Sequence, residues 1–173
     1  MSNRSQLYFI RGAADTAEAL DYFCPRDAAY PAGTPAVPVG VNNHPLVSFP
    51  QAVVSYVDFS GVLPPSGIVR LLIYWAATVA AGDVLWGAAW ERDDADGGVD
   101  LDINSFDTAK TVTSTAPVNV GELRVAQIDF TPDEMGGVQP GEPYRLRVSR
   151  SGGVAPDNMA GNAQLFRVIL TEP

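Results

Sequence analysis

The sequence predicts an all-β protein: an antiparallel jelly-roll β-sandwich of about eight strands, with an extended N-terminal arm. Three observations carry this reading. From Val53 onward apolar residues recur with a period of two, as in a strand buried on one face. Gly (16) and Pro (14) are abundant among the 173 residues, which suits many turns and no long helices. No helical pattern of about 10–15 residues lies between the strands, so parallel α/β crossovers are excluded. The 46% hydrophobic content excludes a disordered chain. A single domain of this length buries roughly 70% of the surface its unfolded chain exposes.

In chain order, Tyr8–Ile10 reads as a short strand. Ala13–Phe23 then reads as a short helix, with Ala17, Leu20 and Phe23 three apart and Pro25 as its stop. Residues 1–50 form the arm. Between Ala28 and Val57 there is no Asp, Glu, Lys or Arg, while Pro31, Pro35, Pro38, Pro45 and Pro50 prevent a helix and remove ladder donors. The segment must run extended, yet it carries Val37, Val39, Val41, Leu46, Val47 and Phe49. Two placements are open: a strap over the domain's own sheet, or an arm over a neighbouring subunit. The neighbour would supply apolar surface and a sheet edge, so these six residues are expected in an intersubunit contact.

The sandwich is expected over 51–173. Its strands are Val53–Phe59, Val69–Ala76, Val84–Trp90 after a Gly82-Asp83 turn, Val99–Ile103, Lys110–Thr115, Gly121–Thr131, Tyr144–Val148 and Gln164–Leu170. Val69, Leu71, Ile73, Trp75, Trp86, Trp90, Tyr144, Leu146 and Val148 are the expected core. Phe166, Val168 and Leu170 share one face of the last strand. Thr131-Pro132-Asp133-Glu134 reads as a capping box on a single turn, ended by Gly136-Gly137.

Candidate chemistry is sparse. Glu91, Asp93, Asp94, Asp96, Asp100, Asp102 and Asp107 form an acidic cluster, which raises calcium and a paired-carboxylate glycosidase. An EF-hand register fails, because aligning Gly97 with the required glycine puts Arg92 and Ile103 at ligand positions. A solvated loop is the expectation, with no metal and no cofactor. His44, the only histidine, would have to carry any Ser-His-Asp triad alone, and no nucleophile elbow accompanies it. Asn43-His44-Pro45 reads as a turn. Trp75, Trp86 and Trp90, with Tyr74, raise a sugar-stacking platform, but the three Trp share a face with Val69, Leu71, Ile73 and Val84 and read as core. Ten of the eleven basic residues are Arg, and Arg145, Arg147 and Arg150 project from one strand. Opposite an acidic loop they suit a subunit interface, with Arg145 and Arg147 as its named members.

A net charge of −9 argues against nucleic acid, which needs a basic patch. The longest apolar run, Leu71–Ala81, is too short for a membrane span of about 20 residues. No secretory signal opens the sequence, and the lone Cys24 excludes an internal disulfide. The expectation is a protein made in a reducing cytoplasm.

Taken together, Tyr56-Val-Asp-Phe59, Leu71-Leu-Ile-Tyr-Trp-Ala-Ala77, Gly82-Asp-Val-Leu-Trp86, Pro140-Gly-Glu-Pro-Tyr-Arg-Leu-Arg-Val-Ser-Arg150 and Ala163-Gln-Leu-Phe-Arg-Val-Ile-Leu170 give a pattern that is similar to jelly-roll virion structural proteins of tailed bacteriophages. The resemblance is to the capsid decoration (cement) and tail-fibre-like group and covers roughly residues 53–171. It implies a non-enzymatic protein on the virion exterior, bound to the major capsid protein or other virion proteins. It also implies a homo-oligomer, a trimer by preference. The alternative expectation is a carbohydrate-binding β-sandwich module of a tail fibre or spike.

Overall fold

Alternation of apolar and polar residues builds ten strands in the computed structural model, which describes residues 19–63, 69–93 and 105–172. They are β1 (Ala19–Phe23), β2 (Val37–Val41), β3 (His44–Phe49), β4 (Val54–Val62), β5 (Val69–Ala77), β6 (Asp83–Arg92), β7 (Lys110–Thr115), β8 (Arg124–Phe130), β9 (Pro143–Ser151) and β10 (Ala163–Thr171). One sheet runs β2-β3-β10-β5-β8, with β1 also on β10, and the other runs β4-β9-β6-β7. Every pairing is antiparallel. From β3 onward the partners nest, β6 with β7, β5 with β8, β4 with β9 and β3 with β10. Such nesting is a strand ribbon folded on itself and wrapped into two facing sheets, the jelly roll expected from the sequence.

The expected core is buried throughout. Val69, Leu71, Ile73 and Trp75 of one sheet face Trp86, Trp90, Tyr144, Leu146 and Val148 of the other, each fully buried. The Trp rings meet edge-on across the sandwich, Trp75 against Trp86 at 5.8 Å and Trp90 against Phe130 at 5.6 Å. Edge contacts of this kind suit the ring quadrupoles. The indole N–H of Trp75 donates to Ser114 Oγ at 3.2 Å. The Gly82-Asp83 turn needs its glycine: φ is +100°, and a Cβ there would lie 2.5 Å from Met159 Cα.

The N-terminal region departs from expectation. Residues 19–23, placed in a helix by their spacing, form strand β1 instead, and Pro25 opens a 3-10 turn (Pro25–Asp27) rather than ending a helix. Helix propensity is a weak prior beside tertiary pairing. Here β1 lies along the C-terminal half of β10, from Ala19 opposite Thr171 to Phe23 opposite Val168, and Phe23 packs on Phe59 at 5.2 Å. Tyr8–Ile10 and Val99–Ile103 lie outside the described residues.

The Pro-rich segment is a strap on its own domain. Ala29 exchanges two backbone hydrogen bonds with Asp58, on edge strand β4, at 2.8 and 3.1 Å. The Thr34 hydroxyl donates to the carbonyl of Tyr56 at 2.7 Å and accepts from its N–H at 3.1 Å. The chain then returns to the first sheet as the β2–β3 hairpin. Asn42 and Asn43, at φ +48° and +66°, make its two-residue turn, one residue earlier than the Asn43-His44-Pro45 expected. Strand β3 pairs with β10 and is one of the eight strands of the roll, so the sandwich takes in residues that the sequence reading gives to the arm.

Candidate functional site

Strand parity divides the six apolar residues expected at a subunit contact. Val47 and Phe49 point into the core and are fully buried, with Phe49 edge-on to Trp86 at 5.3 Å. Burial in their own sandwich removes these two from any surface contact. Leu46, also buried, points the other way, onto the outer face of the β2-β3-β10-β5-β8 sheet. Val39 stands opposite it, and Val37 and Val41, 49% and 40% exposed, share that face.

The same face carries an aromatic cluster that depends on an irregularity in β10. Leu165 pairs with Trp75, but Arg167 pairs with Tyr74, so Phe166 is one residue extra. A bulge of this kind resets the alternation. Leu165, Val168 and Leu170 therefore point inward, while Phe166 and Arg167 stay half-buried. Phe166 thus leaves the face that strict alternation assigns to it with Val168 and Leu170. Without the bulge, Arg167 would fall on the core side.

Arg167 is surrounded by rings. Its guanidinium carbon lies 4.3 Å from the Phe166 centroid, 5.4 Å from Tyr22 and 5.7 Å from Tyr74. His44, the first residue of β3, stands exposed and edge-on to Phe166 at 5.9 Å. Arg167 Nε is covered and has no hydrogen-bond partner, and no carboxylate among the described residues pairs with this side chain. Cation–π contact offsets part of its desolvation, about 0.5–2 kcal/mol per good contact. A covered donor left unpaired still costs about 1–3 kcal/mol. Tyr22 is 40% exposed and Tyr74 half-buried, so the cluster opens to solvent.

The arginines of β9 are placed differently. Arg145 and Arg147 lie on the outer face of the second sheet, as expected, but both are committed within the molecule. Arg147 holds Asp58 through two hydrogen bonds, of 2.7 and 2.8 Å, and stacks between Tyr56 at 4.1 Å and Phe106 at 4.0 Å. Arg145 pairs with Glu91 and approaches Asp93 at 3.8 Å. Glu91 accepts two more hydrogen bonds, from the Ser105 N–H at 2.6 Å and hydroxyl at 2.8 Å. Desolvation raises the pKa of Asp93. With Asp58 and Glu91 buried and bonded, neither offers a free oxygen to a substrate, so they do not supply the pair a glycosidase needs.

Arg150 does not project with the other two. It sits on the inner side of β9, fully buried, where its five N–H donors meet Asp157 twice and the carbonyls of Phe49, Met159 and Gly161. Of the acidic cluster, Asp94, Asp96, Asp100 and Asp102 lie outside the described residues. The three Trp are wholly buried, and only Tyr74 of that group reaches a surface. The Tyr22–His44–Tyr74–Phe166–Arg167 cluster escaped sequence reading because its members are scattered along the chain and meet only through β10.

No protein-family model and no curated protein matches the chain. Solved structures do. An isomalto-dextranase from Arthrobacter globiformis T6, complexed with panose, is 16% identical at a TM-score of 0.59, over 86% of this chain and 22% of that one. A cycloisomaltooligosaccharide glucanotransferase from Paenibacillus sp., complexed with cycloisomaltoheptaose, is 13% identical at 0.54, over 86% and 18%. The CBM22-1 xylan-binding domain from Paenibacillus barcinonensis Xyn10C is 9% identical at 0.52, over 92% and 97%. This chain thus spans about a fifth of each enzyme and nearly all of the xylan-binding domain. At these identities the likeness establishes the β-sandwich fold.

Proposed function

We propose that this chain is a non-catalytic carbohydrate-binding module whose outer β2-β3-β10-β5-β8 face receives a glycan. The observation that carries the reading is the ring cluster around Arg167. Aromatic rings partly open to solvent stack on the apolar faces of sugars, while an arginine and tyrosine hydroxyls among them bond sugar oxygens. Supporting it, one similar fold is named a xylan-binding domain and matches nearly end to end. Two others are parts of enzymes solved with oligosaccharides.

The test is affinity electrophoresis through a panel of soluble polysaccharides, with Tyr22→Ala and Phe166→Ala beside the parent. Retardation of the parent on at least one polysaccharide, lost in both variants with the core Trp fluorescence unchanged, is the expected result. No retardation on any polysaccharide, or retardation that both variants retain, overturns the reading.

A second reading, a virion decoration protein that binds capsid or a sibling copy, draws on exposed Val37 and Val41 along edge strand β2. An open apolar edge is a template for another chain. Val37→Lys together with Val41→Lys should then abolish co-sedimentation with capsids and leave glycan retardation untouched.

A further inference from the structure

We infer, on the carbohydrate-binding reading, that Arg167 selects glycans bearing a carboxylate, so that the ligand class is a uronic-acid-containing oligo- or polysaccharide. The chemistry follows from what Arg167 lacks. Other arginines of the sandwich are matched by acids, Arg70 by Asp129, Arg145 by Glu91, Arg147 by Asp58 and Arg150 by Asp157, while Arg124 at the start of β8 is simply exposed to solvent. Arg167 is matched by rings, which compensate charge weakly and satisfy no donor in the plane of the guanidinium.

A planar carboxylate fits the outer Nη1/Nη2 edge of a guanidinium with two parallel charge-assisted hydrogen bonds, and that is the edge left to a ligand here because Nε is covered by the protein. A neutral hydroxyl recovers one such bond and leaves the charge unmatched. The rings hold the guanidinium in place, so little is lost in ordering it when the ligand arrives. Tyr22, exposed beside it, is placed to stack on the same or the next sugar ring. The net charge of −9 opposes an anionic ligand at long range, but charges beyond about 8 Å are largely screened at physiological ionic strength. The local cation therefore governs the choice.

The experiment compares uronate polysaccharides (polygalacturonate, alginate, glucuronoxylan, hyaluronan) with their carboxyl-reduced counterparts, which keep linkage and length. Calorimetric titration of the full chain should give at least tenfold tighter binding to one carboxylated member than to its reduced form. Arg167→Gln should erase that ratio while keeping the weaker binding to the reduced glycan, and Arg167→Lys should restore part of it. Equal binding of both forms, a ratio unchanged in Arg167→Gln, or a preference for sulfate esters over carboxylates overturns the inference and leaves the carbohydrate reading standing. Binding to none of these glycans, nor to any neutral one, defeats both.

Discussion

Arg150 and Arg167 lie on adjacent stretches of one chain, and they solve the same physical problem in opposite ways. Arg150 is fully buried, yet all five of its donors are bonded, two to Asp157 and three to carbonyls that tie β3 and the β9–β10 loop together. Arg167 is only half-buried, yet its Nε has no partner. Burial alone therefore does not mark a functional arginine. What separates the two is the chemistry of the partners: Arg150 ends on an acid and carbonyls of its own fold, whereas Arg167 ends on rings that leave its charge without a carboxylate.

The harshest test strikes both residues at once. Deleting residues 1–49 removes the Phe49 carbonyl beside Arg150 and the Tyr22 and His44 rings around Arg167. It also strips β10 of two partner strands and empties the core of Phe23, Val47 and Phe49. The truncated protein should show no cooperative thermal transition by circular dichroism. A normal melt would restore the view of this segment as a separable arm.

Next in size is Arg150→Met. Breaking a buried pair by removing one partner typically costs about 3–5 kcal/mol, and urea unfolding should show a loss of that order. A loss below about 1 kcal/mol would place Arg150 with the dispensable surface pairs. Arg147→Met should fall between the extremes, about 1.5–3 kcal/mol for hydrogen bonds to a charged group, because Asp58 is buried while Arg147 is partly open.

Glu134 gives the comparison a partly exposed surface member. Its pKa is held down to about 2, first by Lys110, whose Nζ donates to it, and then by the Thr131 N–H and hydroxyl. A lowered carboxyl pKa contributes stability above the ordinary value of 4.5, and that contribution disappears as pH falls toward 2. The melting-temperature gap between the parent and Glu134→Gln should hold from pH 7 to 5 and close between 4.5 and 2. A gap independent of pH would contradict the pairing.

The smallest effect is expected at Arg167→Gln, within about 0.5 kcal/mol of the parent, because the ring contacts it loses are offset by the covered, unpaired donor it removes. The same variant tests the ligand. A stability loss like that of Arg150→Met would make Arg167 structural too and remove the ground for a binding role.

Legibility followed the period-two pattern. The inward sides of β5, β6 and β9 could be read directly, because Val69, Leu71, Ile73 and Trp75 alternate without interruption between turn signals. The capping box at Thr131–Glu134 was equally legible, since its contacts span only three residues. Where alternation is broken the reading failed: the bulge at Phe166 exchanged inside for outside, and Arg150, read with its odd-numbered neighbours, belongs by parity to the core.

By itself, then, the sequence determined the class of fold, the turns and most of the core, because each depends on residues near one another in the chain. Only the tertiary structure decided that residues 19–23 pair as a strand, that β3 completes the roll, and that Tyr22, His44, Tyr74, Phe166 and Arg167 stand on one face. The reason is physical. Antiparallel pairing in a jelly roll joins the first strands to the last, so the partners through which β1 and β3 override local propensity and bring Tyr22 and His44 to this face lie more than 100 residues away on β10.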